Sequence, residues 1–225
     1  MDVQRPINWL IAISTILVII NVHLSFSCSC LQAHPQTQFC NSDFVLMVKV
    51  RARKFNDTDN TVAYHVAIKK IFKMSDKTSM ALKSKIIWSS QDDGMCGVKL
   101  KPNSKYLITG RTHHNKAMIN LCNYLELWSD LTTKQKKGFR LLYKQGCECK
   151  IQVSDCQREG IEKCPKNHNT CHWETWRHEH GGCQVQHTVC MPQAHGHCDW
   201  NKSRSYRACI KETKAQKERQ RELEP

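Results

Sequence analysis

Fourteen cysteines constrain this chain of 225 residues more than any other feature of its sequence. All of them lie at or beyond Cys28. An even number of cysteines in an exported chain predicts a disulfide framework in an oxidising compartment rather than a set of metal-binding thiolates. Aromatic residues make up only 8% of the chain and charged residues 24%. We therefore expect modest hydrophobic cores that cross-links must supplement.

A short apolar run precedes the first cysteine. It covers residues 7–20, which is too short for a comfortable membrane span but suits the core of a signal peptide. Ser25 and Ser27 supply small residues at the third and first positions before a cleavage site. We therefore predict that residues 1–27 are a signal peptide and that the protein is secreted to the extracellular space and matrix. The mature chain would then begin with the free α-amino group of Cys28.

Alternation of apolar and polar residues predicts a mainly β N-terminal module. The predicted strands, which begin with a hairpin, cover residues 43–54, 62–68, 81–89, 106–110 and 117–121. Five short strands in about 120 residues favour a small closed barrel of the oligonucleotide/oligosaccharide-binding (OB) type, with a sandwich as the alternative. One long helix is predicted to open at Leu131 and stop at Gly146. Its apolar face would carry Phe139, Leu142 and Tyr143.

The sequence changes character at Cys147. Beyond it, cysteines and histidines are dense and no long apolar alternation occurs. This pattern predicts an N-terminal domain over residues 28–147 and a small, disulfide-rich C-terminal domain over residues 148–210. Residues 211–225 mix Lys, Arg, Gln and Glu without a core pattern, so we predict a disordered tail there.

The formal net charge of +14 predicts a polyanionic partner. Because the chain carries a secretory signal, we expect heparan sulfate or another matrix polyanion and no nucleic acid. The basic residues are spread along the chain, and a basic helix face is most often only solvated. The sequons at Asn56 and Asn201 predict glycosylation at the surface.

The motifs of an enzyme are missing from the sequence. His178 and His180 are two residues apart, whereas a zinc-protease helix needs two histidines four apart. No phosphate-binding loop or serine nucleophile motif is present. A catalytic Cys/His pair would need a free thiol, which an even set of exported cysteines does not predict. We therefore expect neither enzymatic activity nor a cofactor of the protein's own.

Motifs spread along the chain resemble those of one family of secreted proteins. The first is Cys28-Ser29-Cys30, and the junction Gly146-Cys147-Glu148-Cys149-Lys150 follows at a matching separation. The other matching motifs are His34-Pro35-Gln36, Phe39-Cys40-Asn41, Cys96-Gly97-Val98, Tyr106-Leu107-Ile108, Leu121-Cys122, Trp128 with Leu131-Thr132, Gln135-Lys136-Lys137, Tyr143, Cys171-His172-Trp173 and Cys198-Asp199-Trp200. With these motifs the chain resembles the tissue inhibitors of metalloproteinases over nearly all of its length beyond residue 27.

The resemblance implies a netrin-like, OB-type barrel followed by a smaller domain, and it implies their disulfide bonds. The implied pairs are Cys28–Cys96, Cys30–Cys122 and Cys40–Cys147 in the first domain, and Cys149–Cys198, Cys156–Cys164 and Cys171–Cys190 in the second. Cys183 and Cys209 are then left over, and the common family pattern lacks them. We expect these two to pair with each other.

The resemblance also implies a mode of action. In the family, the amine and carbonyl oxygen of the N-terminal residue bind the catalytic zinc of the protease, and the second side chain enters the adjacent substrate pocket. In this chain those residues are Cys28 and Ser29. The implied inhibitory contacts are Cys28, Ser29, Cys30, Leu31, Gly94, Met95, Cys96 and Gly97. The implied targets are matrix metalloproteinases and related membrane-anchored metalloproteinases, bound by a monomer.

Two departures from the family pattern bear on which proteases the protein would inhibit. The turn around Asn56 is short, and Gly94 stands where a larger residue is more usual. An alternative function also remains: a secreted, matrix-binding, netrin-like interaction module that shares the barrel and the cysteines but chelates no metal. The position of the mature N-terminus distinguishes the two hypotheses.

Overall fold

The computed structural model describes residues 28–153, 168–175 and 178–223. The helices are α1 Pro35–Asn41, α2 Asp76–Ala81, α3 Thr133–Lys137, α4 Tyr143–Gln145, α5 His178–His187 and α6 Arg204–Leu223. The strands are β1 Phe44–Asn56, β2 Thr61–Met74, β3 Ile86–Ser90, β4 Lys105–His113, β5 Lys116–Met118, β6 Leu125–Leu127, β7 Lys150–Val153, β8 Thr170–Trp173, β9 Cys190–Pro192 and β10 Cys198–Trp200. The prediction of a mainly β fold with flanking helices is confirmed.

The first six strands form one sheet in the order β1-β2-β3-β5-β4-β6. Strand β1 pairs antiparallel with β2, as predicted for the hairpin, and also antiparallel with β4. Strand β3 pairs parallel with β5 through Trp88 and Met118. The pairings therefore run from β1 through β2, β3, β5 and β4 and return to β1.

Alternating side chains of these strands point into one core. The core is built from β-branched, aliphatic and aromatic residues, which suit a pleated surface with one buried face. Its central members are Phe44, Leu46, Val48, Val50, Val62, Tyr64, Val66, Ile87, Ile108 and Ile119. Burial follows the period-two pattern of the sequence over residues 46–50 of β1 and 64–66 of β2, whereas residues 44–46 and 62–64 are buried without a break and residues 51–55 are all exposed.

One predicted strand is wrong in its first half. Residues 81–89 were expected to be a single strand, but α2 ends at Ala81 and β3 begins only at Ile86. The hydroxyl of Ser75 caps α2 by accepting a hydrogen bond from Thr78 N, and such caps stabilise helix starts. Leu82, just after the helix, is buried in the core. A short apolar run does not distinguish the end of a helix from a strand.

The predicted helix after Leu131 is present and packs on the outer face of the sheet. Thr132 and Gln135 form a capping box at its start. A π-helical segment, Gly138–Leu142, joins α3 to α4, and a 3-10 turn at Gly146–Glu148 ends the helical run. Phe139 and Tyr143 are buried with Phe39, Val45, Leu107, Leu131 and Val189 in a second core.

The C-terminal residues form a smaller module that shares buried contacts with the first. Strand β7 pairs parallel with β8, and β9 pairs antiparallel with β10. At the junction, the side-chain amide of Gln36 donates to the carbonyls of Gly146 and Cys190 at 2.9 and 2.8 Å. Its oxygen accepts from Cys190 N at 2.9 Å. Three hydrogen bonds from one buried side chain thus fix β9 against the end of the helical run.

The tail prediction is wrong for the part of the tail that the structure describes. Residues 211–223 were expected to be disordered, whereas α6 continues to Leu223. Lys, Arg, Gln, Glu and Ala are strong helix formers even where no core pattern is present. At the other end of α6, the hydroxyl of Ser203 accepts from Tyr206 N at 3.2 Å and Tyr206 is buried. Among the described residues, no helix is long and apolar enough to cross a membrane.

Candidate functional site

Two neighbouring disulfide bonds tie the start of the described chain to the sheet. Cys28 is bonded to Cys96 and Cys30 to Cys122, with a Cα–Cα distance of 5.2 Å in each pair. The sulfur atoms of Cys28 and Cys30 are 3.9 Å apart, and all four Sγ atoms lie within 4.8 Å of one another. Because these sulfurs are in disulfides, the group offers no thiolate to a metal ion.

The partner of Cys28 lies in a tight turn over residues 92–97. The carbonyl of Asp92 accepts from Met95 N at 3.2 Å and from Gly97 N at 3.0 Å. Cys96 has φ +58°, the left-handed region that is uncommon for residues other than glycine. A Cβ on Gly97 would lie 2.5 Å from the carbonyl oxygen of Ser90. The turn therefore requires glycine at position 97.

The partner of Cys30 is fixed by backbone contacts of its own. Leu121 N donates to the carbonyl of Cys96 at 2.9 Å, which joins this segment to the turn. The carbonyl of Cys122 accepts from the side-chain amide of Gln38 at 2.7 Å, and Cys122 N donates to Asn120 Oδ1 at 3.0 Å. Both disulfides thus end on segments that hydrogen bonds hold in place.

We call residues 28–31, 94–97 and 121–122 together the terminal edge. Its large apolar side chains are exposed: Leu31 by 95%, Met95 by 69% and Leu121 by 53%. Ser29 and Cys30 are also exposed. Large apolar side chains that are exposed side by side are typical of an interaction surface.

The structure brings all the sequence-predicted contact residues together at the terminal edge. Residues 28–31 and 94–97 meet through the Cys28–Cys96 bond. Leu121, which was not among the sequence-predicted contact residues, is exposed at the same edge. Gly94, one of the family departures, donates its N–H to Asp92 Oδ1 at 2.8 Å and so helps to build the turn.

The chain behind the terminal edge is anchored by a buried histidine. His34 Nδ1 accepts from Gln36 N at 3.2 Å, which caps α1, and Nε2 donates to the carbonyl of Gln184 at 3.5 Å. The rings of Tyr143, Trp173 and Trp200 surround the imidazole at centroid distances of 6.3, 5.7 and 5.2 Å. Burial lowers the pKa of His34 from 6.5 to about 4, and the hydrogen bond to Gln184 opposes that shift. The imidazole is therefore neutral at physiological pH.

Four further disulfide bonds each join two cysteines of the same module. The bonds are Cys40–Cys147, Cys149–Cys198, Cys171–Cys190 and Cys183–Cys209. Together with the two bonds of the terminal edge, these are the pairs expected from the resemblance and from the two left-over cysteines. The expected bond between Cys156 and Cys164 lies outside the described residues, as does the predicted signal peptide.

Both predicted glycosylation sites lie where a glycan has access to solvent. Asn56 ends β1, is partly exposed, and accepts from Thr58 N at 3.2 Å through its Oδ1. Asn201 is exposed, and its backbone N donates to the carbonyl of Val189 at 2.8 Å. Both residues are therefore at least partly accessible at the surface.

Comparison with known proteins gives one consistent family. The family model described as tissue inhibitor of metalloproteinase matches residues 26–200. A protein named metalloproteinase inhibitor 4 from Mus musculus is 35% identical over 186 residues, which cover 77% of this chain and 80% of that protein. Metalloproteinase inhibitor 3 from Scyliorhinus torazame is 32% identical over 197 residues, 84% of this chain and 89% of its own length. Cys209 and all of α6 lie beyond the residues that the family model matches.

Proposed function

The chain belongs to the tissue inhibitor of metalloproteinase family, which consists of inhibitors rather than enzymes, and on that premise we propose that it is a secreted inhibitor of zinc metalloproteinases. The observation that carries the proposal is the terminal edge. Residues 28–31 form an exposed segment that two disulfides hold against the sheet. Such a segment loses little conformational entropy when it docks into a cleft.

The proposed mechanism uses the backbone of Cys28. A catalytic zinc keeps one coordination position open for water. The α-amine and carbonyl oxygen of a chain-terminal Cys28 can occupy that position together as a five-membered chelate. The sulfur of Cys28 is bonded to Cys96, so the side chain acts as a clamp and the backbone supplies the ligand atoms.

The rest of the terminal edge supplies contacts around the metal. The exposed hydroxymethyl group of Ser29 is small enough to enter the substrate pocket of several proteases. Leu31, Met95 and Leu121 present further apolar surface at the terminal edge. Burial of these side chains against the rim of the cleft would contribute about 25 cal/mol for each Å² of apolar surface removed from water.

We also infer that the ring of strand pairings is a closed, five-stranded barrel of the OB type. The support is the return of β4 to β1. A closed barrel has no exposed sheet edge, so residues 28–147 would form a rigid inhibitory domain. Residues 148–210 would form the second domain, which the Cys149–Cys198 and Cys171–Cys190 bonds hold together.

A second proposal concerns retention in the matrix. Lys136 and Arg140 lie over the ring of Trp128 at 5.4 and 6.0 Å, and Lys70 lies over Phe72. The two rings are stacked at a centroid distance of 6.1 Å. This cluster, in a chain of net charge +14, favours binding of heparan sulfate or a similar polyanion.

Heparin affinity tests this second proposal. Because exposed charges are screened over about 8 Å at physiological salt, we expect the protein to bind heparin at low salt and to elute as salt rises. The double variant Lys136→Gln and Arg140→Gln should elute at lower salt than the control double variant Lys83→Gln and Lys211→Gln. The control loses the same amount of charge at positions outside the cluster. Failure to bind heparin at low salt would overturn the proposal.

The inhibitory function is tested by the mature N-terminus and an inhibition panel. We expect N-terminal sequencing of the secreted protein to start at Cys28. The same preparation should inhibit several matrix and membrane-anchored metalloproteinases. A chain that starts before Cys28 and inhibits none of them would instead indicate a matrix-binding, netrin-like module.

A further inference from the structure

The two disulfides of the terminal edge differ from the other bonds in where their cysteines lie. Cys28, Cys30, Cys96 and Cys122 all lie outside helices and strands. Each of the other four bonds in the described part of the chain has at least one cysteine in a helix or a strand. Cys30 is exposed, and its three neighbours are partly exposed. Exposed disulfides are more accessible to thiol reagents than buried ones.

The distances between the two bonds allow exchange between them. The sulfur of Cys30 lies 3.9 Å from that of Cys28, which belongs to the neighbouring bond. Thiol–disulfide exchange proceeds by attack of a thiolate on a disulfide sulfur. A thiolate released at Cys30 would therefore already lie beside its target, without any movement of the sheet.

We propose that the terminal edge is a thiol-exchange site, at which an external dithiol opens Cys30–Cys122 and Cys30 then attacks Cys28 to form a Cys28–Cys30 bond. In the first step, the dithiol is oxidised to its disulfide and Cys30 and Cys122 become thiols. In the second step, the Cys30–Cys28 bond forms, the Cys28–Cys96 bond breaks, and Cys96 leaves as the thiolate. The second step transfers no net electrons.

The local backbone can accommodate the product. A disulfide needs a Cα–Cα distance of about 4.4 to 6.8 Å, and residues two apart in an extended chain lie at or just beyond that limit. A bend at Ser29 is therefore required. Ser29 is exposed and lies in neither a helix nor a strand, so it can bend once Cys30 has left Cys122.

The product has lost both anchors of the terminal edge. Residues 28–31 would no longer be bonded to Cys96 or Cys122, while the bonds that hold the two modules would remain. If residues 28–31 are the inhibitory segment, a consequence that rests on the proposed function, inhibition should fall in step with release of the Cys96 thiol.

Partial reduction with disulfide mapping tests the exchange itself. The mature protein, purified from culture medium, is treated with one equivalent of a phosphine, which is oxidised to its oxide and adds no competing thiol. Iodoacetamide is added after an incubation, and labelled cysteines are identified by mass spectrometry. We expect label at Cys96 and Cys122 together with a Cys28–Cys30 link, and no label at Cys40 or Cys147.

A matched variant isolates the internal step. In the double variant Cys28→Ser and Cys96→Ser, the Cys30 thiol has no neighbouring disulfide to attack, so label should stay at Cys30 and Cys122. In the wild-type chain, label that remains at Cys30 and Cys122, or that first appears at Cys40 and Cys147, would overturn the proposal. These maps do not depend on whether any protease is inhibited, so the exchange site and the proposed function fail separately.

Discussion

A side chain at position 97 would collide with the backbone of the turn that carries Cys96. A Cβ there would lie 2.5 Å from Ser90 O and 2.8 Å from Asp92 O, and neither atom belongs to a flexible side chain. We expect Gly97→Ala to distort the turn, to lower the free energy of unfolding by about 1 to 3 kcal/mol, and to weaken inhibition. Thermal unfolding and inhibition assays measure the two effects.

Gly182 provides the control for that substitution. A Cβ at Gly182 would meet no atom within 4 Å, and alanine is the better residue inside a helix by up to about 1 kcal/mol. We expect Gly182→Ala to leave stability and inhibition unchanged or slightly improved. A Gly97→Ala protein that behaves like the control would contradict the account of the turn.

The buried His34 predicts a pH dependence of stability. Its pKa of about 4 in the folded state is below the value of 6.5 in an exposed position. Between pH 6.5 and 4 the unfolded chain therefore binds a proton that the folded chain does not. The free energy of unfolding should fall as the pH falls through this window, by up to about 3 kcal/mol from this residue.

His34→Asn separates this contribution from those of other groups. Asparagine is also a good helix N-cap, but it does not titrate in this window. We expect the variant to be less stable at pH 7, because ring contacts with Trp173 and Trp200 are lost, and to lose less stability between pH 6.5 and 4.5. Urea unfolding at both pH values measures the difference. Equal losses in the two proteins would show that His34 is not the titrating group.

The sequence could not predict this role of His34. It placed the residue in the motif His34-Pro35-Gln36 but gave no sign that Trp173 and Trp200 close over it. Local patterns report periodicity along the chain, whereas this cluster joins residues from two modules. The clamp of Cys28 and Cys30 could be predicted, because the resemblance supplied the pairing of distant cysteines.

At the scale of elements, α6 depends on its bond to α5. Cys183 and Cys209 join the two helices with a sequence separation of 26. Beyond Ala215, α6 is exposed on all sides. A loop of this length corresponds to about 3 to 4 kcal/mol in the chain-entropy estimate. We expect the double variant Cys183→Ser and Cys209→Ser to fray α6, with faster hydrogen exchange over residues 204–223.

Inhibition provides the second measurement on that variant. The terminal edge lies on the other module, and its bonds to Cys96 and Cys122 are untouched, so inhibition should stay near that of the wild-type chain. The double variant Cys30→Ser and Cys122→Ser should show the opposite pattern. Hydrogen exchange over α6 should stay slow, and inhibition should be weakened. Unchanged exchange over residues 204–223 in the first variant would mean that the bond does not stabilise α6.

The errors in the element predictions have local physical causes. The apolar run at residues 81–89 is divided between two elements. Ala81 ends α2, Leu82 packs in the core, and β3 begins at Ile86. The helix α6 has a sequence of strong helix formers with few apolar residues, so a search for a core pattern missed it. The hairpin of β1 and β2 was predicted because its alternation is long and regular.

At the scale of the whole molecule, long-range pairing limits what the sequence can predict. The pairing of β1 with β4 brings Phe44 opposite Gly110, and no local pattern specifies that contact. The junction between modules likewise includes Gln36, a single side chain that contacts both Gly146 and Cys190. The order and approximate positions of β1 to β5 followed from the sequence, apart from the first half of residues 81–89, whereas the later strands and the arrangement of all of them did not.

The proposed mechanism requires that the backbone of Cys28 binds the zinc of the target protease. An alanine inserted between Ser27 and Cys28, with processing that leaves this alanine as the first residue, converts the amine of Cys28 into an amide. An amide nitrogen is a poor metal ligand, and the added residue brings bulk into the metal site. The sheet and the two anchoring bonds are unaffected.

The most direct measurement is the inhibition constant of this folded variant, compared with that of a control chain that carries one alanine after Pro225. We expect both proteins to keep the circular dichroism spectrum and Tm of the wild-type chain. The control should inhibit normally, whereas the variant should lose at least about 3 kcal/mol of affinity, more than a hundredfold. Inhibition by the folded variant within a few-fold of the control would contradict the proposed role of Cys28.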